Sequence, residues 1–125
     1  ALERARAALS AGRNDEALSA ARAAASADPA SAEAHRLAAR ALGLLNRPTD
    51  AVDALRRAVQ ADPLTPAIHL DLGFAAVRVG DFANARASWE HFLRLAPGSP
   101  DVGRVNAALE TLTRMMYLLE AHADV

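Results

Sequence analysis

A step of 34 residues runs through most of this chain and limits the folds that it can adopt. Prolines, small residues and candidate helix-capping residues all recur at this step. The sets are Pro29, Pro63 and Pro97; Ala17, Ala51 and Ala85; Ser31, Thr65 and Ser99; and Ala5, Ala39 and Gly73. A repeat of this length is typical of stacked helical arrays, in which each unit buries its apolar face against its neighbours.

Residues 66–99 form the clearest unit, and this unit divides in two at Gly80-Asp81. On both sides of the division, apolar residues recur at spacings of three and four, which predicts two amphipathic helices. Thr65 can cap the first helix, and Gly80 can adopt the left-handed conformation that ends it. Asp81 can cap the second helix. Two short helices cannot bury their own apolar faces, so the hairpin needs neighbours.

On these residues the chain resembles the tetratricopeptide repeat family. The matching positions in this unit are Leu72-Gly73, Gly80-Asp81, Ala85, Trp89 and Pro97. The preceding unit departs where Asn46-Arg47-Pro48 replaces the Gly-Asp turn, and Arg4 of the first unit stands where the family has leucine. The resemblance implies an all-α, right-handed superhelical stack of antiparallel helix pairs with about seven helices. The expected segments are repeats at about 1–31, 32–65 and 66–99 and a capping helix at 100–122.

The first and last segments carry further expectations. The first hairpin, with helices at 2–11 and 15–27, is rich in alanine and buries little, so it should fray first. The last helix is longer than a cap requires, and its end is strongly apolar. Three interpretations stay open: it packs back on the third hairpin, it forms a dimer seam, or it continues into further sequence. The candidate seam residues are Met115, Met116 and Leu119.

Nothing in the sequence points to catalysis. Cysteine is absent, and no nucleophile elbow, phosphate loop or zinc-protease motif occurs. His35 and His69 are one repeat apart, where packing is a simpler role than metal binding. A net charge of −1 argues against general nucleic-acid binding. We therefore expect no enzyme activity, catalytic residue, cofactor, metal, nucleic-acid partner or direct membrane insertion.

What remains is a surface. In the family, the first helix of each pair lines a concave groove that binds peptides or partner helices. Carried over by the resemblance, the groove residues are Arg6, Glu33, Arg36, Arg40, Leu44, Leu70, Phe74, Val77, Arg78, Arg104 and Ala108. The arginines form either a solvated, salt-bridged face or a site for acidic or carboxylate groups. The family's clamp for chaperone tails is not reproduced, since its asparagine and lysine positions are Leu37, Ala67 and Asp71 here.

Phe74 has two open roles, an exposed anchor for a partner or a packing contact with the last helix. The expected function is a non-enzymatic scaffold or adaptor for a protein or peptide. One alternative is a regulatory or targeting segment of a larger enzyme or of an envelope, secretion or pilus assembly protein. Another is self-assembly through repeat faces or a homodimer through the last helix. The arginine and alanine bias suggests a bacterial source, and the compartment stays open, with the cytoplasm favoured over the periplasm.

Overall fold

The computed structural model describes residues 2–123, and this part of the chain is all α-helix and connecting turns. The helices are α1 (Leu2–Ser10), α2 (Asn14–Ala27), α3 (Ala32–Leu44), α4 (Pro48–Ala61), α5 (Pro66–Arg78), α6 (Phe82–Leu95) and α7 (Val102–Ala123). The first six form three antiparallel hairpins, and α7 follows the third. The predicted all-α stack of helix pairs closed by a seventh helix is confirmed.

The turns inside the three hairpins repeat as closely as the sequence does. Gly12, Asn46 and Gly80 are each one period apart, and their φ angles are 75°, 58° and 78°. Glycine and asparagine tolerate this left-handed conformation, which ends the first helix of each hairpin. Asn46 therefore preserves the turn where the sequence departs from Gly-Asp, and Pro48 begins the next helix.

The predicted capping residues have different outcomes. The Ser31 hydroxyl accepts a hydrogen bond from the amide of Ala34 at 3.2 Å, and the Asp81 carboxylate accepts one from the amide of Asn84 at 3.4 Å. Thr65 makes no capping bond, because its hydroxyl donates instead to the Asp62 carboxylate of the preceding turn.

The last helix starts later than predicted, at Val102 rather than at residue 100. Just before it, the amide of Asp101 donates a hydrogen bond to the Ser99 hydroxyl at 3.1 Å. This local bond belongs to the turn that leads into the helix.

The core consists of two clusters. The first lies within α1–α4 and extends to Ile68 of α5; alanine supplies most of it. The second is built by α5, α6 and α7 around Trp89, Phe92, Val105 and Leu112. Ile68 therefore connects the third hairpin to the first two, with Leu72 and Ala75 of α5 partly buried against the same cluster.

Trp89 is a core residue, as the sequence predicted, with 2% of its surface exposed. Its indole N–H donates to the carbonyl oxygen of Leu70 at 3.4 Å. The ring lies against the backbone of α5 at Gly73, where an added Cβ would stand 2.0 Å from the indole nitrogen. The Trp89 ring can therefore lie this close to α5 only because Gly73 has no side chain.

Candidate partner-binding surface

Ion pairs join the first helices of successive hairpins. Nε of Arg6 on α1 donates to Oε1 of Glu33 on α3 at 2.9 Å. Nε of Arg36 on α3 donates to Oδ2 of Asp71 on α5 at 2.7 Å. Pairs this exposed contribute about 0–1 kcal/mol each, but they fix the rotamers of Arg6 and Arg36 and occupy their donors.

Two further arginines of the predicted groove also have partners within the chain. Nη1 of Arg78 donates to the carbonyl oxygen of Gly43 at 3.3 Å, which joins α5 to α3. The guanidinium of Arg104 on α7 lies 5.0 Å from the centroid of the Phe74 ring, a cation–π contact, and 3.4 Å from the Asp101 carboxylate. Arg104 is therefore salt-bridged, as one interpretation of the arginines expected, whereas Arg78 is held by uncharged partners.

Arg40 differs from these four arginines. Its side chain is exposed, and it takes part in none of the ion pairs found among residues 2–123. An exposed guanidinium with free donors is suited to a carboxylate, which it can bind through two parallel hydrogen bonds.

Arg40 borders a pocket of about 190 Å³ where α3, α4 and α5 meet. This α3–α5 pocket is lined by Ala39, Arg40, Gly43, Ala51, Leu55, Asp71, Phe74, Ala75 and Arg78. Ala39, Ala51 and Leu55 are buried and give it an apolar floor, whereas Arg40 and Arg78 are exposed at its rim. The structure thus brings three predicted groove residues, Arg40, Phe74 and Arg78, to one pocket.

Phe74 packs within the chain and also lines this pocket. Its ring meets the Trp89 indole edge-on, with centroids 5.0 Å apart and planes at 67°, and its other contact is Arg104 of the last helix. The side chain is half-buried. Phe74 therefore makes the predicted packing contact with the last helix, and part of its ring also faces the pocket.

The predicted apolar groove residues are less exposed than expected. Leu70 is buried, with 9% of its surface exposed, in the same cluster as Val105 and Leu112 of α7. The physical reason is that α7 docks on this side of α5 and covers it, so Leu70 is not a surface anchor. Val77 and Ala108 pack partly against the same cluster, whereas Leu44 is 63% exposed at the end of α3.

The candidate seam residues of α7 divide between two roles. Met116 is half-buried and packs against the second core cluster, which agrees with α7 packing back on the third hairpin. Met115 and Leu119 are 39% and 54% exposed, and their neighbours Tyr117 and Leu118 are 70% and 55% exposed. The helix therefore packs as far as Met116 and leaves its last two turns uncovered.

Sequence reasoning missed the internal partners of the arginines, of which Asp71 is the clearest. Arg36 and Asp71 are one period and one residue apart. In a stack with a 34-residue step, this spacing puts the two residues next to each other on the first helices of neighbouring hairpins. The ion pair could therefore have been predicted from the sequence. The bond from Arg78 to a backbone carbonyl leaves no such trace in the sequence.

The repeated histidines have a structural role. Nε2–H of His35 donates to the carbonyl oxygen of Pro29 at 2.9 Å, and Nε2–H of His69 donates to that of Pro63 at 2.7 Å. Within residues 2–123, no three His, Asp or Glu side chains are grouped closely enough to hold a metal ion. The same residues include no helix that is long and apolar enough to cross a membrane.

Comparison with protein-family models finds a match to the tetratricopeptide repeat over residues 2–66, just over half of the chain. No curated protein sequence matches. Among solved structures, the first TPR of Spaghetti (RPAP3), bound to the HSP90 peptide SRMEEVD, is similar with a TM-score of 0.83 at 19% identity. That match covers 92% of this chain and 91% of the other.

Two further structures are similar. One is the type III secretion chaperone SycD of Yersinia enterocolitica in complex with a peptide of the translocator YopD. Its TM-score is 0.79 at 12% identity, and the match covers 95% of this chain and 91% of the other. The second is the O-GlcNAc transferase of Thermobaculum terrenum, with a TM-score of 0.76 at 27% identity, covering 89% of this chain and 21% of that one. At such low identities the first two likenesses show the fold alone.

Proposed function

The chain belongs to the tetratricopeptide repeat family, and on this premise we propose that it is a non-enzymatic protein-interaction module. It acts as a scaffold or adaptor that binds an extended or helical segment of a partner protein. The groove is the face formed by α1, α3, α5 and α7. We further propose that the bound segment carries acidic side chains.

The observation that carries this proposal is the α3–α5 pocket with its unpaired arginine. Its floor is apolar, and its rim holds Arg40 and Arg78. A side chain with an apolar stem and a terminal carboxylate, such as glutamate, is complementary to such a site. Its stem would contact the floor, and its oxygens would accept hydrogen bonds from Arg40.

Most of the other groove arginines are neutralised within the chain. Arg6 and Arg36 are each matched by one carboxylate, so they add little net charge. Arg40 and Arg78 take part in none of the ion pairs found among residues 2–123 and are left as an excess of positive charge on the face. An acidic segment would gain from this excess, whereas a basic one would be repelled.

The similar structures give the proposal a precedent without identifying the partner. The Spaghetti (RPAP3) domain is bound to the HSP90 peptide SRMEEVD, which contains three acidic side chains, and SycD is bound to a peptide of YopD. In this chain the family's clamp positions hold Leu37, Ala67 and Asp71. We therefore propose recognition of acidic side chains within a segment, not of a chaperone tail.

Charge reversal at Arg40 tests the proposal. Partners captured by the wild-type chain are compared with those captured by Arg40→Glu, and the affinity of a segment mapped from them is measured. We expect Arg40→Glu to weaken binding about tenfold or more, about 1.4 kcal/mol, from a Kd in the micromolar range. Arg57→Glu is the matched control, because Arg57 is an exposed arginine of α4, on the second helix of its hairpin. Equal loss in both variants, or no partner at all, would contradict the proposal.

A second candidate keeps the same groove but puts the chain inside a longer protein, as a regulatory or targeting segment of an enzyme or assembly protein. The observation that favours it is the likeness to the O-GlcNAc transferase, in which the matched part is 21% of the chain. The sequence of the complete open reading frame tests this candidate. A frame that holds nothing beyond the present residues would contradict it.

A further inference from the structure

From Met115 onward, α7 exposes apolar side chains at the end of its packed part. Leu112 is buried and Met116 is half-buried, whereas Met115, Leu118 and Leu119 are 39%, 55% and 54% exposed. We call these three exposed residues the α7 stripe. Each would gain free energy if a partner covered it, and several together mark a contact surface.

The α7 stripe lies on the groove side of its helix. Arg104 defines that side, because its guanidinium stacks on Phe74 of α5. Met115 is about three turns after Arg104 and Leu118 about one turn further, so both project within roughly 40° of the direction of Arg104. Leu119 adjoins them. Tyr117, in the same turns, projects roughly 140° away.

The size of the α7 stripe disfavours a second copy of the chain as its occupant. The stripe exposes an area on the order of a few hundred Å², well below the roughly 800 Å² that each partner buries in a standard interface. Arg104, the charged residue on this side, is already paired with Asp101, so charge does not direct two copies together here.

We propose that the α7 stripe extends the groove and binds the apolar part of the same segment whose carboxylate reaches Arg40. This inference rests on the proposed function. It specifies the partner as a segment in which an acidic residue and a pair of apolar residues occur at a fixed separation. The acidic residue occupies the α3–α5 pocket, and the apolar pair covers Met115, Leu118 and Leu119.

The geometry of the stack sets that separation. Arg40, Phe74 and Ala108 are one period apart, so the pocket is level with Ala108 on α7. The stripe lies about 10–16 Å further along α7. Arg40 is on α3, two helices away across α5, and neighbouring helices pack about 8–10 Å apart. An extended segment advances about 3.3 Å per residue, so it covers this diagonal in about six to eight residues.

Selection from a random peptide library displayed on phage tests the inference without knowledge of the natural partner. The wild-type chain is the first target. The second is the double variant Leu118→Ser with Leu119→Ser, and the third is Tyr117→Ser, a matched control on the opposite side of the same turns. All three sites are exposed, so circular dichroism should give the same helical content and melting temperature for each protein.

We expect wild-type selections to enrich peptides with a carboxylate about six to eight residues from an apolar pair. The double variant should lose the apolar preference and bind the selected peptides about tenfold more weakly or worse, while Tyr117→Ser should match the wild type.

Enrichment of acidic peptides without an apolar preference would overturn this inference and leave the proposed function standing. No enrichment would overturn both. Sedimentation that reveals a dimer which the double variant abolishes would assign the stripe to a second copy instead.

Discussion

Gly73 is the residue at which α5 accommodates the Trp89 indole. An added methyl group would stand 2.0 Å from the indole nitrogen and 2.2 Å from Cδ1, and both atoms belong to a rigid ring in a filled core. The ring or the helix must therefore shift. We predict that Gly73→Ala lowers the free energy of unfolding by about 1–3 kcal/mol, despite the better helix propensity of alanine. Urea denaturation measures this. Gly98→Ala is the control, because its Cβ would meet open space.

The chain itself suggests how to rescue that variant. One period earlier, Ala39 and Leu55 occupy the positions of Gly73 and Trp89, and both line the α3–α5 pocket. Combining Gly73→Ala with Trp89→Leu copies this smaller pair into the third hairpin. We predict that the double variant is more stable than the sum of the two single effects allows, by about 0.5–3 kcal/mol. Additive losses would refute the idea that the two positions are packed against each other as a pair.

Asp62 links the second repeat to the third and gives stability a dependence on acid. Its carboxylate accepts a hydrogen bond from the Thr65 hydroxyl and another from the amide of Leu64, and these bonds lower its pKa from the ordinary value of 3.8. A lowered pKa means that this stabilisation is present above the unfolded-state pKa and is lost as the pH falls through the folded-state pKa. We predict that the stability difference between wild type and Asp62→Asn is constant near neutral pH and shrinks below about pH 4. A difference that stays constant down to pH 2 would contradict this.

At the scale of the element, the first hairpin has the least to hold it. Its buried residues are Ala5, Ala8, Ala17, Leu18, Ala21 and Ala24, of which one is larger than alanine. Burial free energy scales with apolar area, so these helices gain less from packing than α5 and α6 do. We predict that hydrogen exchange of α1 and α2 is the fastest among the helices of the three hairpins. Protection of α2 equal to that of α6 would show that packing area is not what sets local stability here.

The same scale shows why the sequence predicted the helices better than the surface. Helix ends depend on local residues, and Asn46 meets the backbone demand of its turn as well as glycine does. Leu70 depends on a distant partner: the docking of α7 buries it, and the sequence left three interpretations open for the last helix. Thr65 likewise had two possible partners within three residues, and the nearby Asp62 competes successfully with the helix amides. The period places Arg36 and Asp71 on neighbouring helices, but it does not specify the rotamer by which Arg78 reaches a backbone carbonyl.

At the scale of the whole molecule, the two core clusters raise the question of whether the chain unfolds as one unit. In stacked repeats, stability is the sum of the stability of each unit and of its interface with the next. Ile68, with 2% of its surface exposed, is the buried residue of α5 in the cluster of the first two hairpins, and Leu72 and Ala75 of α5 are partly buried against the same cluster. It is therefore the place to weaken the interface without disturbing the Trp89 cluster.

Trp89 is the sole tryptophan of the chain, so its fluorescence reports on the third hairpin and α7, while circular dichroism reports on all the helices. We predict that the two signals share one urea transition in the wild type.

Ile68→Ala should lower the free energy of unfolding by about 2–5 kcal/mol and separate the transitions. The circular dichroism change should begin at lower urea, because the alanine-rich hairpins lose their support first. Phe92→Leu, a change inside the second cluster, should instead move the fluorescence transition to lower urea. Coincident transitions in the Ile68→Ala protein would mean that the remaining contacts, among them those of Leu72 and Ala75, are enough to make the two clusters unfold together.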